Sequence, residues 1–293
     1  MEYRQTIRRP VPVEGIGLHS GTPVRARLVP AEPDTGIRFV RTDLDGAEVP
    51  AHLDFLGPSF YATVLERGSV RVTTVEHLMA AVLAARIDDL RIELDGPEVP
   101  ILDGSAAPFL KLIRDAGVAS SDVPREVLVV TRPILVEEEN KRIAVYPHSE
   151  LRITYAIDFD HPRLGYQELT ASLWSSRAFE EKLAGARTFT FERDVEALRR
   201  AGLALGGSLD NAVVLGEDDI LNDSLRYPDE FVRHKMLDLV GDLALIGRPL
   251  CGHVVAYRAG HHLHTRLARE ILARPDRWFL DARAASATLE GVS

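Results

Sequence analysis

What this 293-residue sequence lacks already excludes several classes of protein. It has a single cysteine, Cys251, so neither a disulfide framework nor a cysteine-rich metal site can form. It has no run of about 18 apolar residues, and its first residues lack the apolar core of a signal peptide. Lys and Arg number 35 against 44 Asp and Glu, and the net charge of −9 argues against nonspecific binding to nucleic acid. We therefore expect a soluble cytoplasmic protein with no transmembrane segment and no nucleic-acid partner.

The overall composition is typical of a globular protein. Hydrophobic residues make up 45% of the chain and charged residues 27%, and the length is sufficient for two domains. The negative net charge does not exclude a local basic pocket for an anionic small molecule.

The segment 226–242 is predicted to form a helix with polar side chains on one face. His234, Asp238 and Asp242 lie at i, i+4 and i+8, and at about 3.6 residues per turn they share that face. The residues between them are largely apolar, and burying imidazole or carboxylate groups without a partner costs several kcal/mol. The spacing of His234 and Asp238 suits two ligands of one zinc ion. The alternative is a solvated polar face with a chance histidine.

A second predicted helix, 73–84, offers a further ligand and a base. Glu76 and His77 are adjacent in its first turn. Taken alone, Thr73 and Glu76 fit a capping box, and His77 fits a core histidine with satisfied hydrogen bonds. Taken with the polar face of the other helix, His77 would add a metal ligand and Glu76 a carboxylate that accepts a proton from water.

The chain repeats one pattern of secondary structure. Each half begins with a predicted pair of strands and later reaches a helix with a histidine near its start, a strand and a closing helix. The matching segments are 9–32 and 132–150 for the strand pair, 90–94 and 253–257 for the later strand, and 107–116 and 263–273 for the closing helix.

This repeat predicts an α+β fold of two related β–α–α–β sandwich domains packed face to face. The domains would span 1–120 and 126–293, with a polar, proline-containing linker at 119–125. Facing domains would bring His77 and His234 together at their interface, where small-molecule sites often lie.

Two glycine-containing segments are predicted to lie near the site. Residues 15–21 are interpreted as a tight turn with Leu18 and His19 near a cleft. The alternative, a phosphate-binding loop, has the spacing of neither the dinucleotide nor the P-loop pattern. Residues 185–214 predict a β–α–β unit with a glycine-hinged, apolar loop, as a lipid or partner surface would have. The chain from Ala282 onward is expected to fray.

Six motifs occur in order along the chain, at 74–80, 98–105, 186–189, 205–212, 229–235 and 260–261. Together they resemble the UDP-3-O-acyl-N-acetylglucosamine deacetylases (the LpxC family), zinc amidases that commit a nucleotide sugar to lipid A synthesis by releasing acetate. The resemblance extends from Arg9 to about Ala273. It implies a small insert in each domain, including a β–α–β insert at about 188–214 in the second.

The resemblance also implies a role for individual residues. His77, His234 and Asp238 match the ligands of one catalytic zinc ion, with iron(II) as the alternative metal. Glu76 matches the general base. His261 matches the histidine that protonates the leaving amine or stabilises the oxyanion, and Asp242 would hold its imidazole.

Other matching positions imply contacts with a UDP-3-O-acyl-N-acetylglucosamine substrate. Thr188 matches a hydroxyl that binds the developing oxyanion, and Lys235 a catalytic cation that serves the substrate's phosphate. Further substrate contacts are implied at Leu18, Phe189, Phe191, Asp194, Leu205, Gly207, Ser208 and Arg258. Because the insert would hold the acyl chain, a charge at Leu205 is expected to weaken binding of acylated substrate.

Some positions depart from the family pattern. His264 stands where the family more often has asparagine, Gly185 replaces a usual proline, and residues 60–62 differ at the mouth of the acyl passage. The preferred acyl length is therefore open. Two other functions also remain open, namely a catalytically silent nucleotide-binding relative and a protein whose histidines are only structural. A monomer is expected.

Overall fold

The computed structural model describes residues 2–58, 61–173 and 175–282, and its architecture confirms the predicted α+β class. Elements of the first half run from the amino terminus to the strand that leads into the second half. They are β1 (Tyr3–Ile7), β2 (Val11–Ile16), β3 (Pro23–Pro30), β4 (Ile37–Arg41), β5 (Ala47–Pro50), β6 (Val64–Arg67), β7 (Val70–Thr73), α1 (Glu76–Ala84), β8 (Leu90–Leu94), α2 (Ala107–Ala116) and β9 (Val118–Pro124).

Elements of the second half follow the same general order. They are β10 (Val127–Val130), β11 (Ile134–Glu138), β12 (Lys141–Tyr146), β13 (Leu151–Phe159), β14 (Gly165–Ser172), α3 (Ser176–Phe179), β15 (Phe189–Phe191), α4 (Glu192–Arg200), β16 (Val213–Leu215), α5 (Glu230–Ala244), β17 (Leu250–Tyr257), α6 (His261–Leu272) and β18 (Trp278–Asp281). The sequence-based predictions also concerned Phe60 and the carboxy-terminal tail. Phe60 and the residues after Ala282 lie outside the described residues.

The two large sheets share one topology, which confirms the predicted repeat. The first sheet has the order β2-β3-β8-β4-β5, and the second contains the matching series β11-β12-β17-β13-β14. In both, the strand that follows the histidine helix is antiparallel to the opening hairpin and parallel to its other neighbour. Strands β10 and β18 extend the second sheet beside the start of β17.

The helices lie in the middle of the molecule and carry the site. Helix α1 packs against α5 and α2, and α5 also packs against α6. Helix α2 contacts β2 of the first sheet, and α5 and α6 contact strands β11 to β14 of the second. A Cβ at Gly241 would lie 2.0 Å from the carbonyl oxygen of Glu76, so only glycine lets α5 approach the start of α1 this closely. The close approach sets the first turn of α1 against the polar face of α5.

Three local predictions need correction. The stretch expected to be an irregular linker forms most of β9 and pairs antiparallel with β1, which satisfies the backbone groups of both strands. Helix α5 begins at Glu230 rather than at 226. Helix α1 begins at Glu76, because Thr73 ends β7 and Thr74 has a φ of 60°. We propose that the boundary between the domains, 1–120 and 126–293, falls at β9.

Each half carries an insert before its histidine helix. In the first half it is the hairpin β6–β7. In the second half it is the unit β15–α4–β16 together with the loop that joins α4 to β16, and its two strands are parallel. We call this unit the insert. The predicted β–α–β unit is thereby confirmed. Among the described residues, no helix is long and apolar enough to cross a membrane.

Candidate active site

Helices α1 and α5 bring His77, His234 and Asp238 together between the two halves. The Oδ1 atom of Asp238 lies 3.5 Å from Nε2 of His77 and 3.2 Å from Nε2 of His234. All three residues are buried, and one ligand atom from each lies within 4.8 Å of the others. The predicted meeting of His77 and His234 is confirmed, with their ring centroids 5.0 Å apart.

The hydrogen bonds of this cluster fit a metal ion. Nδ1 of His234 lies 3.1 Å from the carbonyl oxygen of Ala186, which can only accept, so we assign the ring proton to Nδ1. Burial lowers the pKa of His234 to about 4, so the ring is neutral at pH 7 and its Nε2 lone pair faces Asp238. Oδ1 of Asp238 and Nδ1 of His77 are buried without a hydrogen-bond partner in the described part of the chain. A divalent cation bound by Oδ1 and by the two Nε2 atoms that face it would relieve the repulsion between the carboxylate oxygen and the Nε2 lone pair of His234.

Asp238 is held in its ionised form. Its second oxygen, Oδ2, accepts a hydrogen bond from Nζ of Lys235 at 2.6 Å. Burial acts to raise the pKa of Asp238, but the neighbouring His234 and Lys235 hold it well below its usual range. Lys235, expected to serve a phosphate, thus contacts a candidate metal ligand in this structure.

Glu76 stands beside the cluster and is not a helix cap. Its Oε2 accepts a hydrogen bond from the backbone N–H of Thr63 at 3.0 Å, and the N-terminal cap residue of α1 is Val75. The capping-box alternative is therefore wrong. Burial raises the pKa of Glu76, against the opposing effect of His261 and His77. A buried carboxylate with a raised pKa in a cleft is typical of a general base.

His261 completes the cluster from the start of α6. Its Nε2 lies 3.9 Å from Oε1 of Glu76, and its Nδ1 donates to Oδ2 of Asp242 at 2.8 Å. Burial lowers the pKa of His261, but the charge and hydrogen bond of Asp242 outweigh it and raise the pKa to about 9. His261 is therefore protonated at neutral pH, and its Nε2 faces Glu76.

His264 adds a second donor to Asp242. Its Nδ1 lies 2.8 Å from Oδ2 of Asp242, and its Nε2 lies 2.8 Å from the hydroxyl of Tyr155. The Thr63 hydroxyl donates to the other oxygen of Asp242. Asp242, His261 and His264 also have a spacing that could suit a metal. Their nitrogens are already joined by hydrogen bonds through Asp242, so we assign this group to proton positioning.

Two cavities meet at the cluster. The first, the cleft, has a volume of about 560 Å³ and is lined by the candidate metal ligands, Glu76 and His261. The second, the passage, has a volume of about 300 Å³ and runs along the insert. Residues that line both cavities mark the junction, and they are Leu18, Tyr61, Thr188 and Phe189.

The other predicted contact residues are divided between these cavities and the surface. Lys235 and Arg258 line the cleft, and Gly207 and Ser208 line the passage. Three residues line neither cavity, and they are Phe191, Asp194 and Leu205.

Those three residues lie elsewhere for identifiable reasons. The ring of Phe191 packs against Phe159 and His161. Asp194 is on the exposed first turn of α4. Leu205 is 51% exposed, on the outer side of the insert.

Gly206 has a different role from the predicted hinge. A Cβ at Gly206 would lie 2.2 Å from the carbonyl oxygen of Gly17, so glycine is needed for close contact between the insert and the first half. Backbone N–H groups of Leu205 and Gly206 donate to the carbonyls of His19 and Leu18 at 3.2 and 3.0 Å. The insert is thus fastened to the Gly15–Gly21 turn.

Several cleft residues were not predicted from the sequence. Lys141 begins β12, whereas Asp158 and Phe159 end β13, and all three line the cleft. Both strands pair with β17, which brings residues distant in sequence to one edge of the sheet. The hairpin pattern located the strands, but no local motif marked these three side chains.

Comparison with known proteins agrees with this site. Residues 4–273 match the family model LpxC, UDP-3-O-acyl N-acetylglycosamine deacetylase. Proteins named UDP-3-O-acyl-N-acetylglucosamine deacetylase from Myxococcus xanthus and Syntrophotalea carbinolica are 48% and 45% identical to the chain, over 93% and 96% of it and 87% and 91% of the relatives. One of the same name from Coxiella burnetii is 44% identical over 95% of the chain and 93% of its own length. The chain belongs to the LpxC family of UDP-3-O-acyl N-acetylglycosamine deacetylases.

Proposed function

We propose that the protein is a cytoplasmic, monomeric zinc amidohydrolase that removes the N-acetyl group of UDP-3-O-(3-hydroxyacyl)-N-acetylglucosamine. The reaction releases acetate and would be the committed step of lipid A synthesis. The observation that carries the proposal is the junction of three features in one cleft: a cluster suited to a metal, a buried carboxylate and a cationic histidine. The names of the relatives supply the UDP-3-O-acyl-N-acetylglucosamine part of the substrate, and the 3-hydroxyl on the acyl chain is part of our proposal.

His77, His234 and Asp238 would hold the metal ion. When bound, zinc supplies a Lewis acid that lowers the pKa of water and polarises the amide carbonyl. Two neutral imidazoles and one carboxylate are a ligand set common in catalytic zinc sites, and iron(II) is the alternative occupant.

The remaining residues move protons and bind the charge that develops. Glu76 accepts a proton from water as its oxygen adds to the acetamide carbonyl carbon. The hydroxyl of Thr188 donates to the resulting oxyanion, a contribution of about 3–4 kcal/mol for one well-placed donor. His261 then gives its Nε2 proton to the sugar nitrogen, and the C–N bond breaks to release acetate and the amine.

The two cavities suit the two ends of this substrate. Cationic side chains of Lys141 and Arg258 line the cleft and would bind the diphosphate, with Phe159 available to the nucleobase. Leu198 and Val214 line the passage, where an acyl chain would be sheltered from water. The two cavities meet at Thr188, and the scissile amide would lie there, near the candidate metal ligands.

Release of acetate from UDP-3-O-acyl-N-acetylglucosamine, with and without a chelator, tests the proposal. We expect turnover that stops on chelation and returns when stoichiometric zinc is added. Protein purified with no metal and unable to bind zinc would support the structural alternative. Binding of the nucleotide sugar without acetate release would support the catalytically silent one.

The pH dependence of kcat/KM should be bell-shaped, because Glu76 must be ionised and His261 protonated. Activity should fall as the pH drops through the pKa of Glu76, which burial raises. It should also fall as the pH rises through the pKa of His261, about 9. Asp242→Asn removes the charge that raises the pKa of His261, so its alkaline limb should move to lower pH. An unmoved limb would contradict the role of His261 as the acid.

Replacement of His264 should alter turnover more than substrate binding. His264→Leu deletes a donor to Asp242, and the lost bond to a charged group should lower kcat by about 10-fold with little change in KM. His264→Asn keeps a donor for Asp242 and should stay within about 3-fold of the natural protein. Equal losses in both variants would show that the donor is unimportant.

A charge inside the passage should weaken the binding of acylated substrate, whereas a charge outside the passage should not. Leu198→Glu places a carboxylate against the chain, where each buried methylene is worth about 0.8 kcal/mol, and should lower kcat/KM by at least about 10-fold. Leu205→Glu is the matched control, because Leu205 is exposed on the same insert. Metal content should not change in either variant. Equal losses would mean that the cavity along the insert is not the acyl site.

A further inference from the structure

His19, a residue in the wall of the passage, has no part in the chemistry above. His19 lines the passage beside Leu18, which marks the junction with the cleft. Its Nε2 atom is buried and has no hydrogen-bond partner within the described ranges. Side chains of Leu198, Leu209 and Val214 give the same passage a largely apolar lining. An unpartnered nitrogen in such surroundings requires an explanation.

The protonation of His19 follows from its other nitrogen. The backbone N–H of Ala204 points at Nδ1 of His19 at 3.4 Å, and an N–H can only donate. Nδ1 is therefore the acceptor, and the ring proton is assigned to Nε2. Burial lowers the pKa of His19 against the opposing charge of Glu98, so the ring is neutral at pH 7. Nε2 thus offers a single N–H donor.

The backbone of His19 is held in place from two sides. Backbone N–H groups of His19 and Ser20 donate to the buried carboxylate of Glu98, each at 2.8 Å. The Thr74 hydroxyl donates to the same carboxylate at 3.0 Å. On the other side, the carbonyl of His19 accepts from the N–H of Leu205 at 3.2 Å. These contacts fix the backbone of His19 next to Leu18, which lines both cavities.

No protein atom of the described residues accepts a hydrogen bond from this donor. We propose that His19 determines acyl specificity by donating a hydrogen bond from Nε2 to a hydroxyl near the start of the acyl chain, at its third carbon. The inference rests on the proposed function and adds the residue that would recognise the hydroxyl of that substrate. His19 adjoins the junction, so the acceptor belongs to the first carbons of the chain rather than its tail. The Nε2 atom is buried in the structure, so the side chains that cover it must move apart for an acceptor on the acyl chain to reach it.

A chain without the hydroxyl should be a poorer substrate. It would fill the passage and leave the N–H without a partner, and a site built to bind a hydroxyl discriminates against ligands that lack it. We expect kcat/KM for a 3-hydroxyacyl substrate to exceed that for the 3-deoxy chain of equal length by about 10-fold.

The test compares these two substrates in the full-length, zinc-loaded protein and in three variants. His19→Phe keeps a ring and removes the donor. The ratio of kcat/KM for the two substrates should therefore fall to about 1, because kcat/KM for the hydroxylated substrate falls. His19→Gln restores an N–H donor and should recover part of the preference. His161→Phe is the matched control. His161 is a second histidine beside the insert, and its Nε2 is already bonded to the carbonyl of Gly216 at 3.0 Å. The control should keep the preference.

Equal losses on both substrates in His19→Phe would overturn the inference and assign His19 to the ester carbonyl or to support of the turn. Binding of 3-hydroxytetradecanoate and tetradecanoate, measured by calorimetry, gives the same ratio without turnover. If neither substrate releases acetate but the hydroxylated chain still binds more tightly than the deoxy chain, the proposed function alone is rejected. If acetate is released but the two chains are bound and turned over equally well, the role of His19 alone is rejected.

Discussion

Replacement of Glu76 by glutamine is expected to lower turnover by roughly 100-fold or more while the metal stays bound. Glutamine keeps the size of the side chain and can still accept from the Thr63 N–H, so the start of α1 should be preserved. It cannot take a proton from water. The carboxylate lies beside the candidate ligands but is not one of the three that converge, so zinc content should be unchanged.

The measurement pairs acetate release with zinc content in the same preparation. Glu76→Asp is the matched variant, because it keeps a carboxylate and shortens the reach to water. It should retain more activity than Glu76→Gln. Unchanged turnover in Glu76→Gln would leave Glu76 with a structural role only, and loss of zinc would make it a ligand instead.

Asp238→Ala should cause the second large effect, a loss of metal. The variant deletes the carboxylate on which both imidazoles converge and leaves Lys235 without its partner. Changes in residues that only support a ligand lower metal affinity by about 10–100-fold, so loss of a ligand itself should cost at least about 100-fold. His77→Ala should behave in the same way, and turnover should fall with metal occupancy.

Zinc affinity measured by competition with a chromophoric chelator decides this prediction. Asp229→Ala is the control on the same helix, because Asp229 forms an ion pair with Arg233 away from the cluster. It should bind zinc with natural affinity. One zinc per chain at natural affinity in Asp238→Ala would refute the assignment of Asp238 as a ligand.

Local sequence periodicity accounts for much of the candidate site. The four-residue spacing of His234, Asp238 and Asp242 requires one helix face, whatever the rest of the fold. Repetition of the strand-pair and helix pattern then predicted two similar halves, and the matching sheet orders confirm them. Since the histidine helices occupy equivalent positions in the two halves, their meeting could be inferred as well.

Features that depend on contacts between distant segments were decided only by the tertiary structure. The capping box of Glu76 fits the local sequence, but the carboxylate instead bonds to Thr63 in a preceding loop. The expected linker became β9 because β1, more than a hundred residues earlier, needs a partner for its backbone. Lys141 and Phe159 share a cleft only through their strands' pairing with β17.

The walls of the passage also combine features that the sequence predicted with features that only the tertiary structure decided. The sequence predicted an apolar, glycine-containing loop. Which of its side chains face the passage depends on how the loop packs against the first half. In the structure Leu205 is exposed and lines neither cavity, whereas Leu198 and Leu209 line the passage. The Nε2 atom of His19 is buried without a hydrogen-bond partner among the described residues. The sequence by itself determined the helices, their polar faces and the candidate ligands, because these follow from local periodicity. Which side chains meet across the two halves was decided by packing, because each such contact joins segments whose separation along the chain carries no local signal.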